Sequence, residues 1–153
     1  MTMKNEINSP GRRRFLQSVA ALSAASAVPA WAQPQTGQKL MRTIPGTTES
    51  IPVIGMGSWG TFDIGNDDKL RRDRTAVLQH FFDQGGALVD SSPMYGSSET
   101  NIGRCLQTTG SKKLFSATKV WVLGQERGVA QMQESAKLWG VPRFDLMQIH
   151  NFV

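Results

Sequence analysis

The sequence predicts an α/β fold in which parallel β-strands alternate with α-helices. Short apolar runs recur along residues 53–150, and longer stretches with helical periodicity separate them, which is the pattern of repeated β-α-β units. Three of the apolar runs stop at a charged or polar residue, namely Asp90, Lys119 and His150. Two architectures fit this pattern: a doubly wound open sheet and a closed (β/α)8 barrel.

The first predicted elements are a hairpin and a short strand. Residues 40–44 and 47–51 surround a Pro-Gly dipeptide, which favours a small β-hairpin. Val53 and Ile54 are predicted to form the first parallel strand. A glycine-rich loop over residues 55–65 follows that strand.

Three helices and three more strands complete the predicted pattern. The strands are expected at 87–90, 114–119 and 144–150, and the helices at 67–84, 98–107 and 126–139. The residues expected on the apolar helix faces are Leu70, Val77, Leu78, Phe81, Phe82, Ile102, Leu106, Val129, Met132, Ala136 and Trp139. Cys105 is the only cysteine, so the chain has no internal disulfide, and its helix position favours a buried small apolar residue over a reactive thiol.

Four polar groups lie at or just after the ends of predicted strands. They are Asp90, Tyr95, Lys119 and His150, and Tyr95 is the only tyrosine of the chain. If the strands are parallel neighbours, their carboxyl ends converge and the four side chains meet. A phenol, an ammonium, a carboxylate and an imidazole in one pocket can form a proton-transfer site.

A glycine motif after the first predicted strand suggests a competing interpretation. Gly55, Gly57 and Gly60 spell G-x-G-x-x-G, the pattern of a dinucleotide-binding Rossmann fold. That fold needs a helix that begins within the motif, whereas residues 61–66 look irregular. It also needs an acidic residue about 20 positions on, whereas Asp90 follows Gly60 by 30 residues. The context therefore disfavours the Rossmann interpretation.

A family resemblance covers nearly all of the chain after about residue 42. The segments 51–59, 90–99, 118–121 and 135–151 resemble successive blocks of the aldo-keto reductase family. The most specific block is D-x-x-x-x-Y-G-x-S-E, matched by Asp90, Tyr95, Gly96, Ser98 and Glu99. After the aspartate this chain has two serines where the family has Thr-Ala or Thr-Ser. The resemblance implies a (β/α)8 TIM barrel.

The resemblance also implies a reaction and a role for each polar group. Hydride passes from NADPH, or NADH, to the carbonyl carbon of a small aldehyde or ketone, and Tyr95 protonates the oxygen as the general acid. Lys119 would make the phenol a better proton donor, and Asp90 would hold the ammonium in place. His150 would orient the carbonyl oxygen. By the same resemblance, Asp90, Tyr95, Lys119 and His150 form the catalytic tetrad.

The resemblance further assigns binding residues, although few for the cofactor. Gly57, Ser58 and Trp59 would contact the nicotinamide end, Trp59 and Trp121 would line an apolar substrate pocket, and no metal is expected. A barrel of this type takes about 250 residues, so residues 39–153 are expected to be a partial barrel that stops after the fourth strand. Most of the cofactor site is then expected in the missing C-terminal half, and the chain alone should lack tight cofactor binding and activity.

Two alternatives to a reductase stay open. One is a non-catalytic binding or regulatory module built on a partial barrel, although retention of all four tetrad residues argues against it. The other, less favoured, is a Rossmann-type dehydrogenase. The sequence does not identify the substrate.

The N-terminus resembles a twin-arginine export signal. Arg12 and Arg13 precede a short apolar, Ala- and Ser-rich stretch and a small-x-small cleavage pattern. We therefore expect a signal peptide over 1–32, cleavage near Ala32-Gln33, a linker over 33–38, and a periplasmic or otherwise exported protein delivered by the twin-arginine export machinery. The stretch is too short and too rich in serine to span a membrane.

Without that signal, the charge of the chain is unremarkable. The formal net charge of +5 falls to about +2, from 13 basic and 11 acidic residues. No basic face interleaved with aromatic residues appears, so the sequence gives no support to nucleic-acid binding.

Overall fold

A computed structural model of the chain describes residues 39–109 and 113–151. The predicted signal peptide at 1–32 and the predicted linker at 33–38 lie outside the described residues. The described chain begins with two antiparallel strands, β1 (Met41–Thr43) and β2 (Ser50–Pro52). The predicted hairpin is therefore confirmed.

Four parallel strands form the main sheet, and helices connect them. In chain order the elements are β3 (Met56–Gly57), α1 (Asp68–Asp83), β4 (Leu88–Asp90), α2 (Ser98–Thr108), β5 (Phe115–Val120), α3 (Gln125–Trp139) and β6 (Leu146–Ile149). The strand order in the sheet is β3-β4-β5-β6, so each strand pairs with the next one along the chain. This confirms the predicted alternation of parallel strands and helices.

The first parallel strand lies later in the chain than predicted. Val53 and Ile54 are not in the main sheet, and the strand that pairs with β4 is β3. The Val53 N–H donates to the Leu40 carbonyl at 3.0 Å, so Val53 extends the hairpin pairing instead. Ile54 is 70% exposed, whereas Met56 of β3 packs against the buried core. Two apolar residues in the sequence do not show which strand their backbone will pair with.

The helices lie where the sequence predicts them, but parts of their apolar faces differ. Leu78 and Phe82 of α1 are buried, whereas Val77 is 51% exposed. In α3, Val129 is 41% exposed, and the buried residues are Gly128, Ser135 and Trp139. The prediction for the two valines is therefore wrong. The helix rotation follows the polar contacts of Ser135 and the indole of Trp139 rather than the apolar pattern alone.

The core lies between the sheet and the helices. Its buried members are Phe62, Leu78, Phe82, Val89, Ile102, Cys105 and Trp139. Cys105 is fully buried, and burial raises the pKa of its thiol. This confirms the prediction of a buried small side chain. Among the described residues, no helix combines the length and the apolar character needed to cross a membrane.

A buried glutamate connects three elements. The Glu99 side chain, in the first turn of α2, is only 3% exposed. Its carboxyl oxygens accept hydrogen bonds from Thr118 Oγ1 of β5 at 2.7 Å, from Ser135 Oγ of α3 at 2.9 Å and from Trp139 Nε1 of α3 at 3.2 Å. A buried polar group is tolerated when it is hydrogen-bonded in this way. Glu99 therefore fixes how α2 and α3 pack on the sheet.

The contact between α2 and α3 also depends on a glycine. A Cβ added to Gly103 would come within 1.9 Å of the Leu138 carbonyl oxygen. Any larger side chain would therefore push α3 away from α2. The close approach keeps the Trp139 indole within reach of Glu99.

The long loop between β3 and α1 is fastened to the N-terminus of α2. The Asp63 carboxylate accepts hydrogen bonds from the Ser97 N–H at 2.9 Å and from the Ser97 hydroxyl at 2.8 Å. The buried Asn101 amide donates to the carbonyls of Phe62 and Gly65 at 3.2 and 3.1 Å. The Asp67 side chain then accepts from the Leu70 N–H and caps α1. The helix begins at Asp68, well after the G-x-G-x-x-G glycines. A Rossmann fold needs a helix that begins within that motif, so the structure agrees with the sequence argument against it.

Replacing Glu99 tests the buried polar junction. Glu99→Ala leaves three buried donors unpaired and opens a cavity, so we expect it to lower the free energy of unfolding by about 3–5 kcal/mol. Glu99→Gln keeps the shape and one oxygen, and the Ser135 hydroxyl can rotate to accept from the new amide. It should cost less than about 1.5 kcal/mol. Urea unfolding of both variants measures the difference, and equal losses would contradict the hydrogen-bond account.

Replacing Asp63 tests the loop attachment through pH. The hydrogen bonds from the Ser97 backbone N–H and hydroxyl lower the pKa of Asp63. A lowered pKa means that this carboxylate stabilises the fold fully above the ordinary carboxyl pKa of about 4, and that the effect is lost as the pH falls through the folded-state pKa. We therefore expect Asp63→Asn to lower the melting temperature at neutral pH and to differ less from the wild type in acid. A difference that is constant with pH would contradict this.

Candidate active site

Strand register brings the polar strand-end residues to one face of the sheet. Asp90 pairs with Ala117, and Lys119 pairs with Gln148. Paired residues in neighbouring strands point to the same face, and so do residues two apart in one strand. Asp90, Lys119 and Gln148 therefore share the face that is opposite to Thr118, whose hydroxyl reaches Glu99 on the helix side.

The Lys119 ammonium is held by two oxygens from the end of β4. Its Nζ lies 2.5 Å from Asp90 Oδ2 and 2.8 Å from the Ser91 carbonyl oxygen. The lysine side chain is 13% exposed and the aspartate side chain 29% exposed. A charge-assisted hydrogen bond with this little exposure places the ammonium more firmly than a surface ion pair does.

Tyr95 and His150 flank this ammonium. The Lys119 Nζ lies 5.3 Å from the centroid of the Tyr95 ring, within cation-π range. The Tyr95 and His150 rings meet edge to face, with centroids 5.8 Å apart. The structure therefore brings Asp90, Tyr95, Lys119 and His150 together.

Among the described residues, the His150 ring has a hydrogen-bond partner at one nitrogen and none at the other. Its Nδ1 lies 2.6 Å from Asn151 Oδ1, and its backbone N–H donates to the Val120 carbonyl. Its Nε2 is buried and has no hydrogen-bond partner within residues 39–109 and 113–151. A buried ring nitrogen without a partner is suited to binding an oxygen of a ligand.

The residues predicted to contact the cofactor differ from one another in exposure. Ser58 is 1% exposed, and its hydroxyl donates to Ser91 Oγ at 2.8 Å, which supports the loop that carries Tyr95. Gly57 pairs with Asp90, and a Cβ at Gly57 would meet no atom within 4 Å. The glycine thus leaves open space beside the tetrad. Trp59 is 76% exposed.

Trp121 lines an apolar concavity at the ends of β5 and β6. The concavity has a volume of about 550 Å³ and is lined by Val120, Trp121, Val122, Leu123, Arg127, Ile149 and Asn151. Val120 and Ile149 are the strand neighbours of Lys119 and Gln148, so they point to the opposite face of the sheet, and no residue of the tetrad lines the concavity. Trp59 does not line it.

One site residue was missed by the sequence analysis. Gln148 Nε2 donates to Asp90 Oδ1 at 2.8 Å. The signal was available, because Leu146, Gln148 and His150 alternate along one strand and must share a face. Gln148 was nevertheless missed, because an uncharged glutamine is not by itself a candidate for acid-base chemistry.

In the described part of the chain, open space and a ring nitrogen without a partner lie at the tetrad. Within the described residues, no group of three or more His, Cys, Asp and Glu side chains is arranged to hold a metal. The open space at Gly57 and the unpartnered His150 Nε2 lie beside an ammonium and a phenol.

Comparison with known proteins agrees with this geometry. The chain is 29% identical over 105 residues to the methylglyoxal reductase YeaE of Escherichia coli and 27% identical over 106 residues to the aldehyde reductase YPR1 of Saccharomyces cerevisiae. These matches take in 66% and 68% of this chain but only 36% and 31% of the relatives. The chain thus spans about a third of the length of the curated relatives that it matches.

Solved structures show the same fold. A thermostable aldo-keto reductase, Tm1743, in complex with the inhibitor epalrestat, superposes with a TM-score of 0.64 at 25% identity, over 72% of this chain and 42% of that one. An aldo-keto reductase from Klebsiella pneumoniae in complex with NADPH superposes with a TM-score of 0.62 at 19% identity, over 74% of this chain and 41% of that one. The fold is therefore of the (β/α)8 barrel class, from which the described residues supply the hairpin and four parallel strands.

The match to a family model is the most direct result. Residues 53–153 match the aldo/keto reductase family, and this range contains the whole tetrad and every strand of the parallel sheet. The chain belongs to the aldo/keto reductase family.

Proposed function

We propose that this site reduces the carbonyl group of a small aldehyde or ketone by hydride transfer from NADPH, with Tyr95 as the general acid. The observation that carries the proposal is the position of the Lys119 ammonium, which Asp90 and Ser91 hold within 5.3 Å of the centroid of the phenol ring. An ammonium beside a phenol favours the ionised phenolate and so makes the phenol a better proton donor.

The reaction needs both a hydride and a proton. Bound NADPH would supply the hydride to the carbonyl carbon. As the carbon accepts it, negative charge develops on the oxygen, and a positioned acid must neutralise that charge. Tyr95 would give its proton to this oxygen, and Lys119 would stabilise the phenolate that remains. Asp90 keeps the ammonium from moving away while the charge changes.

His150 would bind the same oxygen from another side. Its Nδ1 contact with Asn151 orients the ring, and its buried Nε2 has no partner in the described part of the chain. If Tyr95 and His150 both bind this oxygen, they would fix the angle at which the carbonyl meets the hydride donor. Such positioning is worth a large part of the rate enhancement in bimolecular reactions.

The proposed substrate class rests on the relatives. Trp121, just after the end of β5, is 48% exposed, and by the family resemblance it would line an apolar substrate pocket together with Trp59. Two relatives are named as methylglyoxal and aldehyde reductases. We therefore propose small aldehydes as substrates of this chain too.

We also propose that the protein is exported. The proposal rests on Arg12 and Arg13 followed by an apolar stretch and a cleavage pattern. Twin-arginine export would deliver the protein already folded to the periplasm. Replacing both residues, Arg12→Lys with Arg13→Lys, should remove the protein from the periplasmic fraction. If the double variant is still found in that fraction, the proposal is wrong.

Removing the phenol hydroxyl tests the reductase proposal. The chain alone is expected to lack activity at ordinary NADPH concentrations, so the assay uses methylglyoxal with NADPH in large excess, where any slow oxidation by the wild type is measured at 340 nm. Tyr95→Phe should lower the rate by about 10² to 10⁴, because the positioned acid is lost. Lys119→Met should also lower it.

The matched control is Lys137→Met, which removes an exposed lysine of α3 and should leave the rate unchanged. Oxidation that does not depend on Tyr95 would contradict the assigned acid. A wild-type chain that folds but oxidises no NADPH would instead favour a non-catalytic binding module.

The affinity for NADPH provides a second test. In barrels, phosphate groups commonly bind at the loops after strands seven and eight. The described residues contribute the hairpin and four parallel strands. The residues that the resemblance assigns to the cofactor, Gly57, Ser58 and Trp59, would contact only its nicotinamide end. We therefore expect fluorescence titration to give weaker than micromolar binding of NADPH by the 153-residue chain. Micromolar binding would contradict this.

A further inference from the structure

We propose that Gln148 is a positioning residue that sets the orientation of the Asp90 carboxylate and, through it, the place of the Lys119 ammonium. The inference rests on the proposed function for its consequence in catalysis. Its structural part stands on contacts alone.

The two oxygens of Asp90 have different partners. Oδ2 lies 2.5 Å from Lys119 Nζ, and Oδ1 accepts from Gln148 Nε2 at 2.8 Å. The glutamine comes from β6 and the aspartate from β4, with β5 between them. The contact is possible because all three side chains lie on one face of the sheet.

Register explains why the amide reaches the carboxylate. Lys119 and Gln148 are paired residues of β5 and β6, so their side chains leave the sheet side by side. Asp90 lies one pair lower, opposite Ala117. The small Ala117 side chain leaves the space between Asp90 and Gln148 clear.

The chemistry of an amide suits this position. A carboxylate bound by one partner can rotate about its terminal bond, and its second oxygen then competes for the same cation. The amide of Gln148 occupies that oxygen with a neutral donor, so the negative charge of Asp90 stays available to Lys119. A cation at position 148 would instead divide the charge of Asp90.

The experiment uses the reactivity of individual lysines, which needs no cofactor. Trace acetylation with acetic anhydride, resolved by peptide mass spectrometry, reports how freely each lysine leaves its partners. In the wild type we expect Lys119 to react more slowly than the exposed Lys69 and Lys137. In Gln148→Met, which keeps length without donors, the Lys119 rate should rise about two- to tenfold, the effect of losing one hydrogen bond.

A double-mutant comparison separates positioning from simple packing. If Gln148 acts through Asp90, then Gln148→Met adds nothing to the Lys119 rate in an Asp90→Asn background. Gln133→Met, at an exposed position of α3, is the matched control and should change no rate. If Gln148→Met does not fold, Gln148→Asn replaces it, because its shorter amide falls short of Asp90.

Three outcomes would overturn the inference. The first is an unchanged acetylation rate of Lys119 in a folded Gln148 variant. The second is the same increase in that rate with and without the Asp90 carboxylate. The third is a parallel increase at all lysines, which would mean that the whole fold has become more mobile. The reductase proposal fails separately. Suppose that Gln148→Met raises the acetylation rate of Lys119 only when Asp90 is present, while NADPH oxidation does not depend on Tyr95. Gln148 would then remain the positioning residue, but Tyr95 would no longer be the assigned acid.

Discussion

The arrangement of the helices on the sheet depends on the buried carboxyl group of Glu99. It accepts hydrogen bonds from a strand hydroxyl, a helix hydroxyl and an indole N–H. These directional bonds select three particular partners, whereas an apolar side chain would pack equally well against other neighbours. Because the group is buried, any packing that leaves one donor unpaired is costly. The junction holds α2 and α3 at fixed positions behind β5, and the front of β5 carries Lys119. The polar interior therefore supports the site without taking part in it.

The site itself follows from the alternation of strand side chains. Thr118 points back to Glu99, and its neighbour Lys119 points forward to Asp90. One strand thus connects the helix layer and the reactive face through adjacent residues. The Tyr95 loop is held from behind as well, since Ser58 bonds to Ser91 and the Ser91 carbonyl holds Lys119. A shift of β5 by one residue would exchange the two faces and destroy both networks.

Much of this could be predicted from the sequence, because the relevant signals are local. Apolar runs and helical periodicity located the strands and helices. Positions at or just after strand ends suggested Asp90, Tyr95, Lys119 and His150, and the family resemblance assigned them as a tetrad. What could not be predicted depends on partners distant in the chain. Val53 joins the hairpin through Leu40, and helix rotation exposes Val77 and Val129. Gln148 was missed because its role appears only when β4 and β6 are placed on either side of β5.

The chain contains a single tyrosine, and the structure places it beside the ammonium and the imidazole of the tetrad. Every tyrosine signal of this protein therefore comes from one position. Phenolate absorbance and tyrosine ring resonances in NMR spectra would each report on the Tyr95 loop without labelling or mutation, and nitration of tyrosine would modify this loop alone. The molecule carries its own optical reporter at the place where its chemistry is proposed to occur.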